Sequence, residues 1–273
     1  LTEVFHPVGQ ALQTAIDSIP FKDRDMNALL KALLSGDRSN LPDRITEAFR
    51  TAGGSHILAL SGLHLGIIYA ITESISSVFG NSPKSRVHRS VFKIGLCTSY
   101  SLATGASASI IRALLFIILR ETGIVLGRPV TLKDLIRKCL LIHLIISPHS
   151  IQEVGFQLSY AAIAGIAWIY PHLKSLWPEG ESWPIMKKTW GSASLTISCQ
   201  LTTAPLAWLY FNTFPTYFLL TNLLALPLTG ILIPISILTV ALNAAGLCPA
   251  ILTEACEKTA SCLIHILTTI SLM

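Results

Sequence analysis

The stretch from Tyr217 to Leu242 reads YFLLTNLLALPLTGILIPISILTVAL, 26 residues without a charged side chain. A helix needs about 20 apolar residues to cross the hydrocarbon core of a bilayer, so this run is long enough. Working outward from it, apolar blocks separated by short polar gaps cover about Gly54 to Phe79, Val91 to Thr104, Gly105 to Leu126, Leu132 to Ser147, Val154 to Tyr170, Trp190 to Phe211 and Glu254 to Met273. Composition agrees. Of the 273 residues 51% are hydrophobic and 13% charged, where soluble domains carry about 25% charge. Mean hydropathy is +0.59. A disordered chain, a coiled coil and an ordinary soluble enzyme are thereby excluded. The expected fold is an all-α polytopic membrane protein, a bundle of about eight transmembrane helices with broken or re-entrant segments.

Residues 1–52 differ in texture and are expected to form extracytoplasmic or interfacial amphipathic helices leading into a membrane domain at 53–273. Asp25 to Leu34 repeats apolar residues at helical spacing and ends at Ser35-Gly36. A second helix should start near Pro42 and stop before Gly53-Gly54. Both suit helices lying on a bilayer. The chain begins at Leu1 and ends inside the apolar run Leu263 to Met273, so a segment of a longer polypeptide is expected.

Charge fixes an orientation. Loops at 80–93, 127–138 and 171–189 carry four, four and three Lys/Arg, whereas those around 104–108, 148–152 and 212–216 carry none. Basic loops stay in the cytoplasm, which places the N-terminal segment and the C-terminus outside, and the turn 243–253 inside. The net charge of +5 is accounted for by this rule. The six cysteines form no CxxC pair and no zinc-type spacing with histidine. They read as packing residues, and no metal or cofactor is expected.

Arg112 stands in Ser109-Ile110-Ile111-Arg112-Ala113-Leu114, one to two turns into an apolar segment. A charge at that depth costs several kcal/mol unless it snorkels, pairs or faces a polar cavity. Snorkelling and a cavity that passes an anion are the two readings. Arg120 and Glu121, at the other end, read as interfacial anchors. His56, Leu60 and His64 share a stripe if the segment is one helix, with Ser61 beside it. That pattern suits a polar interior or a pore lining. A nucleophilic Ser61 with His64 as base lacks both the Gly-x-Ser-x-Gly elbow and an orienting acid. Gly62 and Gly66 suit close helix contact. Gly105 to Ser109, with Ser107 and Ser109, suits a broken helix. Gln157 and Asn222 add amides within spans, and Pro227 and Pro234 are expected breaks in the 217–242 segment.

Taken together, these segments resemble the membrane domain of the ComEC competence family, the DNA-uptake channels of naturally transformable bacteria. The resemblance runs from about residue 28 to 242. It rests on Ala32-Leu33-Leu34-Ser35-Gly36-Asp37-Arg38-Ser39, on the run from Gly54 to Gly66, on Thr104 to Ala113, on Ser147-Pro148 with Val154 to Ser159, and on Asn222 to Pro227. It implies an inner-membrane channel passing single-stranded DNA into the cytoplasm. The implied partners are single-stranded DNA, the lipid bilayer and other competence proteins, such as a periplasmic DNA receptor and cytoplasmic DNA-handling proteins. Family members often carry an OB-like domain before this region and a metallo-β-lactamase-like nuclease after it. Nuclease activity would belong there, so no catalytic residue is expected here. The resemblance and the residues together name Arg112, Ser107, Ser109, His56, Ser61, His64, Gln157 and Asn222 as the expected DNA path. A secondary transporter for a small anion would also want an intramembrane Arg and broken helices, but no symmetry between halves supports it. An intramembrane hydrolase on Ser61 and His64 is the third reading.

Overall fold

The structure is a computed structural model that describes residues 2–80, 82–128, 130–178, 183–212 and 216–273; the side chains of residues 2–8, 24, 79 and 83 are outside the description. Among the described residues it contains helices and no strand. They are α1 (Thr2–Asp17), α2 (Arg24–Ser35), α3 (Asp43–Thr51), α4 (Ser55–Leu58), α5 (Gly62–Ser76), α6 (Pro83–Ala103), α7 (Ala108–Val125), α8 (Leu132–Ile146), α9 (Val154–Ala164), α10 (Tyr170–Ser175), α11 (Pro184–Phe211), α12 (Phe218–Ala244) and α13 (Ala250–Ser271).

The signals that bound α2 and α3 are local. The Asp23 carboxylate accepts from the Asp25 N–H, and Gly36 ends α2 at φ 79°. Pro42 precedes α3. The apolar faces of both helices meet protein where lipid was expected. No residue from Asp25 to Ser35 is exposed, and Leu29, Leu30, Leu33, Leu34, Ile45 and Phe49 share one core with Ala225, Leu232 and Ile233 of α12 and Leu263 and Leu267 of α13. Each such side chain contributes about 1.5–3 kcal/mol by leaving water. The core therefore runs without interruption past residue 52. Helix α1, which the sequence did not announce, adds Ile16 to it.

A second core joins Leu65 and Ile68 of α5, Cys97 of α6, and Ile110 and Ile117 of α7. Ile237 of α12 packs against both cores. From α5 to α11 the helices run alternately up and down, with α9 and α10 forming one continuous limb through a π-helical turn. Gly62 meets Ala113, Arg112 meets Gly155 and Tyr210 meets Gln157 at one end. At the other, Lys93 meets Glu121, Lys133 sits over the Trp168 ring, and Trp190 Nε1 donates to Leu173 O. The three basic stretches thus lie at the same end of the bundle.

Several expectations are corrected. The 54–79 segment is two helices, because Ala59 is extended (ψ 130°) and Ser61 starts α5 afresh at φ −128°, ψ 171°; the 56/60/64 stripe does not exist. Helix α6 begins at Pro83, where Ser82 caps it, so most of the basic run expected as a loop is helical. Pro227 and Pro234 lie inside α12 without ending it. A Cβ at Gly66 would meet nothing within 4 Å, although one at Gly62 would sit 3.3 Å from Ala113 Cβ. The Gly105 break is present, at φ 77° followed by Ala106 at φ 48°. It is a tight turn, closed by Ala106 N–H on Ser101 O at 2.8 Å. Asn243 Nδ2 donates to Ser18 Oγ at 2.8 Å, so the N-terminal segment touches the turn expected on the opposite membrane face.

Among the described residues only α12 is long and apolar enough by itself to cross a membrane, with a mean hydropathy of 2.3 over its best window. Helices α5 and α8 have 15 residues each, α6 and α7 carry charges, and α9 passes into a π-helical turn at Gly165–Ile169. Where that turn begins only glycine fits: a Cβ on Gly165 would lie 2.3 Å from Ser198 O and 2.7 Å from Thr202 Oγ1 of α11. Gly165→Ala should lower the thermal unfolding midpoint of the purified protein, at a cost of roughly 1–3 kcal/mol. Gly191→Ala, where a Cβ meets nothing within 4 Å, should not.

Candidate functional site

Arg112 lies one turn into α7 and is 3% exposed, so it neither snorkels nor faces open solvent. Its Nη2 donates to Gly155 O in the first turn of α9 at 2.9 Å. Nε and Nη1 are buried and bond to nothing. None of the ion pairs among the described residues includes Arg112. Tyr160 and Glu153 are near enough to act on its charge, as is His143. The Tyr160 hydroxyl is buried without a partner. Its ring is fixed by Phe156 (centroids 4.6 Å apart) and His143 (6.3 Å).

Ser107 is the N-cap residue of α7, yet its side chain caps nothing and its Oγ is buried without a bond. Ser109 is half-buried in the same turn. Gln157 is a bracket between helices: its Nε2 donates to Ile151 O at 2.8 Å and its Oε1 accepts from Tyr210 OH at 2.9 Å. The packing of α9 on α7 therefore brings Tyr160 close to Arg112, while Ser107 and Ser109 stand at the start of the helix that carries Arg112.

The other expected residues fall elsewhere. Ser61 Oγ accepts from Leu63 N–H at 3.3 Å, and His64 Nδ1 accepts from Ser61 N–H at 3.3 Å. This is a capping box, a three-residue spacing that ties two donors at a helix start. The Ser61 hydroxyl also lies 3.3 Å from that ring nitrogen, but the cap uses both groups, and His64 Nε2 is buried without a partner. His56 is on α4 beside Asn222, whose Oδ1 is buried and unbonded.

A second polar cluster escaped the sequence reading. Glu121 of α7 is fully buried and accepts from Ser90 Oγ at 2.6 Å, from Lys93 Nζ at 2.8 Å and from the Tyr69 hydroxyl. Lys93, 3% exposed, also donates to Glu73 Oε2 at 2.5 Å, and Glu73 Oε1 takes Arg89 Nη2 at 3.1 Å. Glu121 is thus a bridge between α5, α6 and α7, where an interfacial anchor was expected. Two signals could have found it: Arg86, Arg89 and Lys93 recur at helical spacing, and Glu73 follows Tyr69 by one turn.

With this geometry in place, comparison with known proteins is informative. The family model described as "Competence protein" matches residues 33–273. The chain belongs to the competence protein family. ComE operon protein 3 of Bacillus subtilis (strain 168) is 30% identical over 137 residues, half of this chain and 17% of the relative. "Uncharacterized protein YcaI" of Escherichia coli (strain K12) is 25% identical over 251 residues, 89% of this chain and 32% of the relative. The chain therefore spans a third or less of these relatives. No solved structure matches it.

Removing one partner of a buried ion pair leaves an uncompensated charge, a loss of about 3–5 kcal/mol. Lys93→Met should accordingly be among the most damaging single changes. Adding Glu121→Gln, which keeps the shape and removes the charge, should recover most of the lost stability. A double-mutant cycle on thermal unfolding in detergent measures this; strictly additive losses would mean the pair is not coupled.

Proposed function

We propose that this chain is the membrane-embedded part of a competence protein, a helical bundle that passes one DNA strand across the cytoplasmic membrane. Family membership supports a role in competence. The observation that carries the finer reading is Arg112, a buried cation without a carboxylate partner inside a helical bundle. A polyanion that crosses a low-dielectric barrier needs such cationic and dipolar groups along its way. The basic helix ends, gathered on one side of the bundle, face the cytoplasm in this reading. A hydrolase on Ser61 and His64 is less well supported, since both side chains are engaged in capping α5. A small-anion transporter would also use Arg112, and the family membership favours DNA over it.

Orientation is tested by cysteine labelling in intact cells. Cysteines at Ser85 and Ser175 should be protected from impermeant thiol reagents, and those at His149 and Gln152 should react. Ser150 and Asn212, obvious choices from sequence, serve poorly, since Ser150 is 4% exposed and Asn212 holds a left-handed helix end at φ 49°. Labelling of Ser85 from outside would overturn the orientation.

Translocation is tested by importing labelled DNA into cells that carry variants of the full-length protein, normalised to membrane protein content. Losing a charge-assisted contact of about 1.5–3 kcal/mol corresponds to a fall of roughly tenfold to a hundredfold, and Arg112→Gln should fall that far. Arg112→Lys should recover part of it, because a point charge lacks the planar fork. Import by Arg112→Gln at the wild-type level would remove Arg112 from the DNA path.

A further inference from the structure

The geometry points to a discrete binding site for one phosphodiester group, formed by Arg112, the Tyr160 hydroxyl and the uncapped first turn of α7. Naming a DNA strand as the source of that group rests on the function proposed above; the site itself rests on the donors. Three buried side-chain atoms have no partner where α9 packs on α7, Arg112 Nε, Arg112 Nη1 and the Tyr160 hydroxyl, and Tyr160 is near enough to act on the Arg112 charge; Ser107 Oγ, at the start of α7, is buried and unpartnered as well. The guanidinium nitrogens can only donate, and the two hydroxyls are free to do so. Gly155 O, the acceptor that Arg112 does use, takes Nη2 alone. No side chain caps α7 or α9, so their leading N–H groups add positive potential on the same side.

Buried polar groups are rarely left unbonded, and a buried cation costs several kcal/mol when unpaired. The lysine of the second cluster meets that requirement with two carboxylates; Arg112 meets it with none. Glu153, the nearest acid, is exposed and forms no ion pair with it. A site made of donors around one fixed guanidinium is satisfied by a ligand that offers several acceptor oxygens and a negative charge. A phosphodiester does both, while nucleobase edges mix donors with acceptors. Phe156 is 3% exposed and its ring packs on Tyr160 and His143, which leaves it no free face for base stacking. The site therefore reads the backbone and not the sequence.

The test uses purified full-length protein in phosphatidylcholine nanodiscs and a fluorescent oligothymidylate, followed by anisotropy over a range of salt concentrations. Wild type should bind the phosphodiester oligomer and not its neutral methylphosphonate analogue. One phosphate contact of a single strand contributes about 0.7 to the slope of log K against log salt, so Arg112→Gln should reduce the slope by about that amount and weaken binding on the order of tenfold. Arg112→Lys should keep the slope and lose a few-fold in affinity, and Tyr160→Phe should do the same. These two carry the test if the Gln variant unfolds early. Unchanged affinity and slope in a stably folded Arg112→Gln would overturn the site, as would equal binding of the methylphosphonate. Displacement of the oligomer by phosphatidylglycerol nanodisc lipid, dependent on Arg112, would overturn DNA as the ligand in favour of a lipid headgroup. An Arg112-dependent slope together with wild-type import by Arg112→Gln would sink the translocation reading and leave the site. Lost import with no change in slope would do the reverse.

Discussion

A carboxylate with no exposed surface has to be surrounded by donors, and Glu121 has a lysine, a serine and a tyrosine, supplied by two other helices. That requirement fixes how α5, α6 and α7 sit. Ser90 and Lys93 are almost one turn apart on α6, so both reach Glu121 only in one rotation of that helix about its axis. Tyr69 and Glu73 set α5 in the same way. With the rotation fixed, Leu65, Ile68, Cys97, Ile110 and Ile117 turn inward together. The opposite end of α7 then presents Arg112 to α9. The hydrophobic core supplies most of the stabilisation, but it is non-directional; the buried ion pair supplies the register.

What the sequence made legible was whatever had a local chemical cause. Gly36 ends α2 and Pro42 precedes α3, because capping and backbone preferences act over three or four residues; the Asp23 cap that starts α2 is equally local but was not read. The break at Gly105 was legible for the same reason, being a positive-φ turn. Ser82-Pro83 carried an equally local start signal, yet the basic residues that follow weighed towards a loop. The Ser61 cap was hidden by its partner: the usual Glu or Gln at the third position is His64 here, and a serine beside two histidines reads more readily as a pore or a catalytic pair. The prolines of α12 misled in the opposite direction. Helix α12, held along one face by both cores, keeps its course through Pro227 and Pro234, since neighbours hold it where an isolated helix would break. Gly165 was illegible in principle. Its meaning lies in the Ser198 carbonyl on another helix.

The candidate site was legible in its centre and not in its surroundings. Arg112 stands alone among apolar residues, so its cost is visible without a structure. Glu121 carries the same cost, but Arg120 beside it offered a cheap explanation, and its partner Lys93 lies in a stretch that counts as loop by charge alone. Tyr160 shows in the sequence only as one of the hydroxyls that follow Gln157 in an apolar span. Its importance comes from being brought beside Arg112 by the packing of α9 on α7, a contact between positions 48 residues apart.

The two buried clusters also bear on why the helices look so unlike apolar spans. Windowed hydropathy counts Lys93 against α6 and Glu121 against α7 as separate penalties, whereas in the folded bundle the two charges pair with each other and both are buried. Composition therefore disqualifies helices whose polar groups are directed inward. Arg112 is the charge this account does not absorb. It is as buried as Lys93, it holds one carbonyl where Lys93 holds two carboxylates, and the donors around it have nothing to give their hydrogens to. The α5–α7 cluster is complete within the protein and needs no ligand to close it. At the heads of α7 and α9 the buried donors outnumber the acceptors, and that difference sets the phosphodiester site inferred above apart from a polar core closed within the protein.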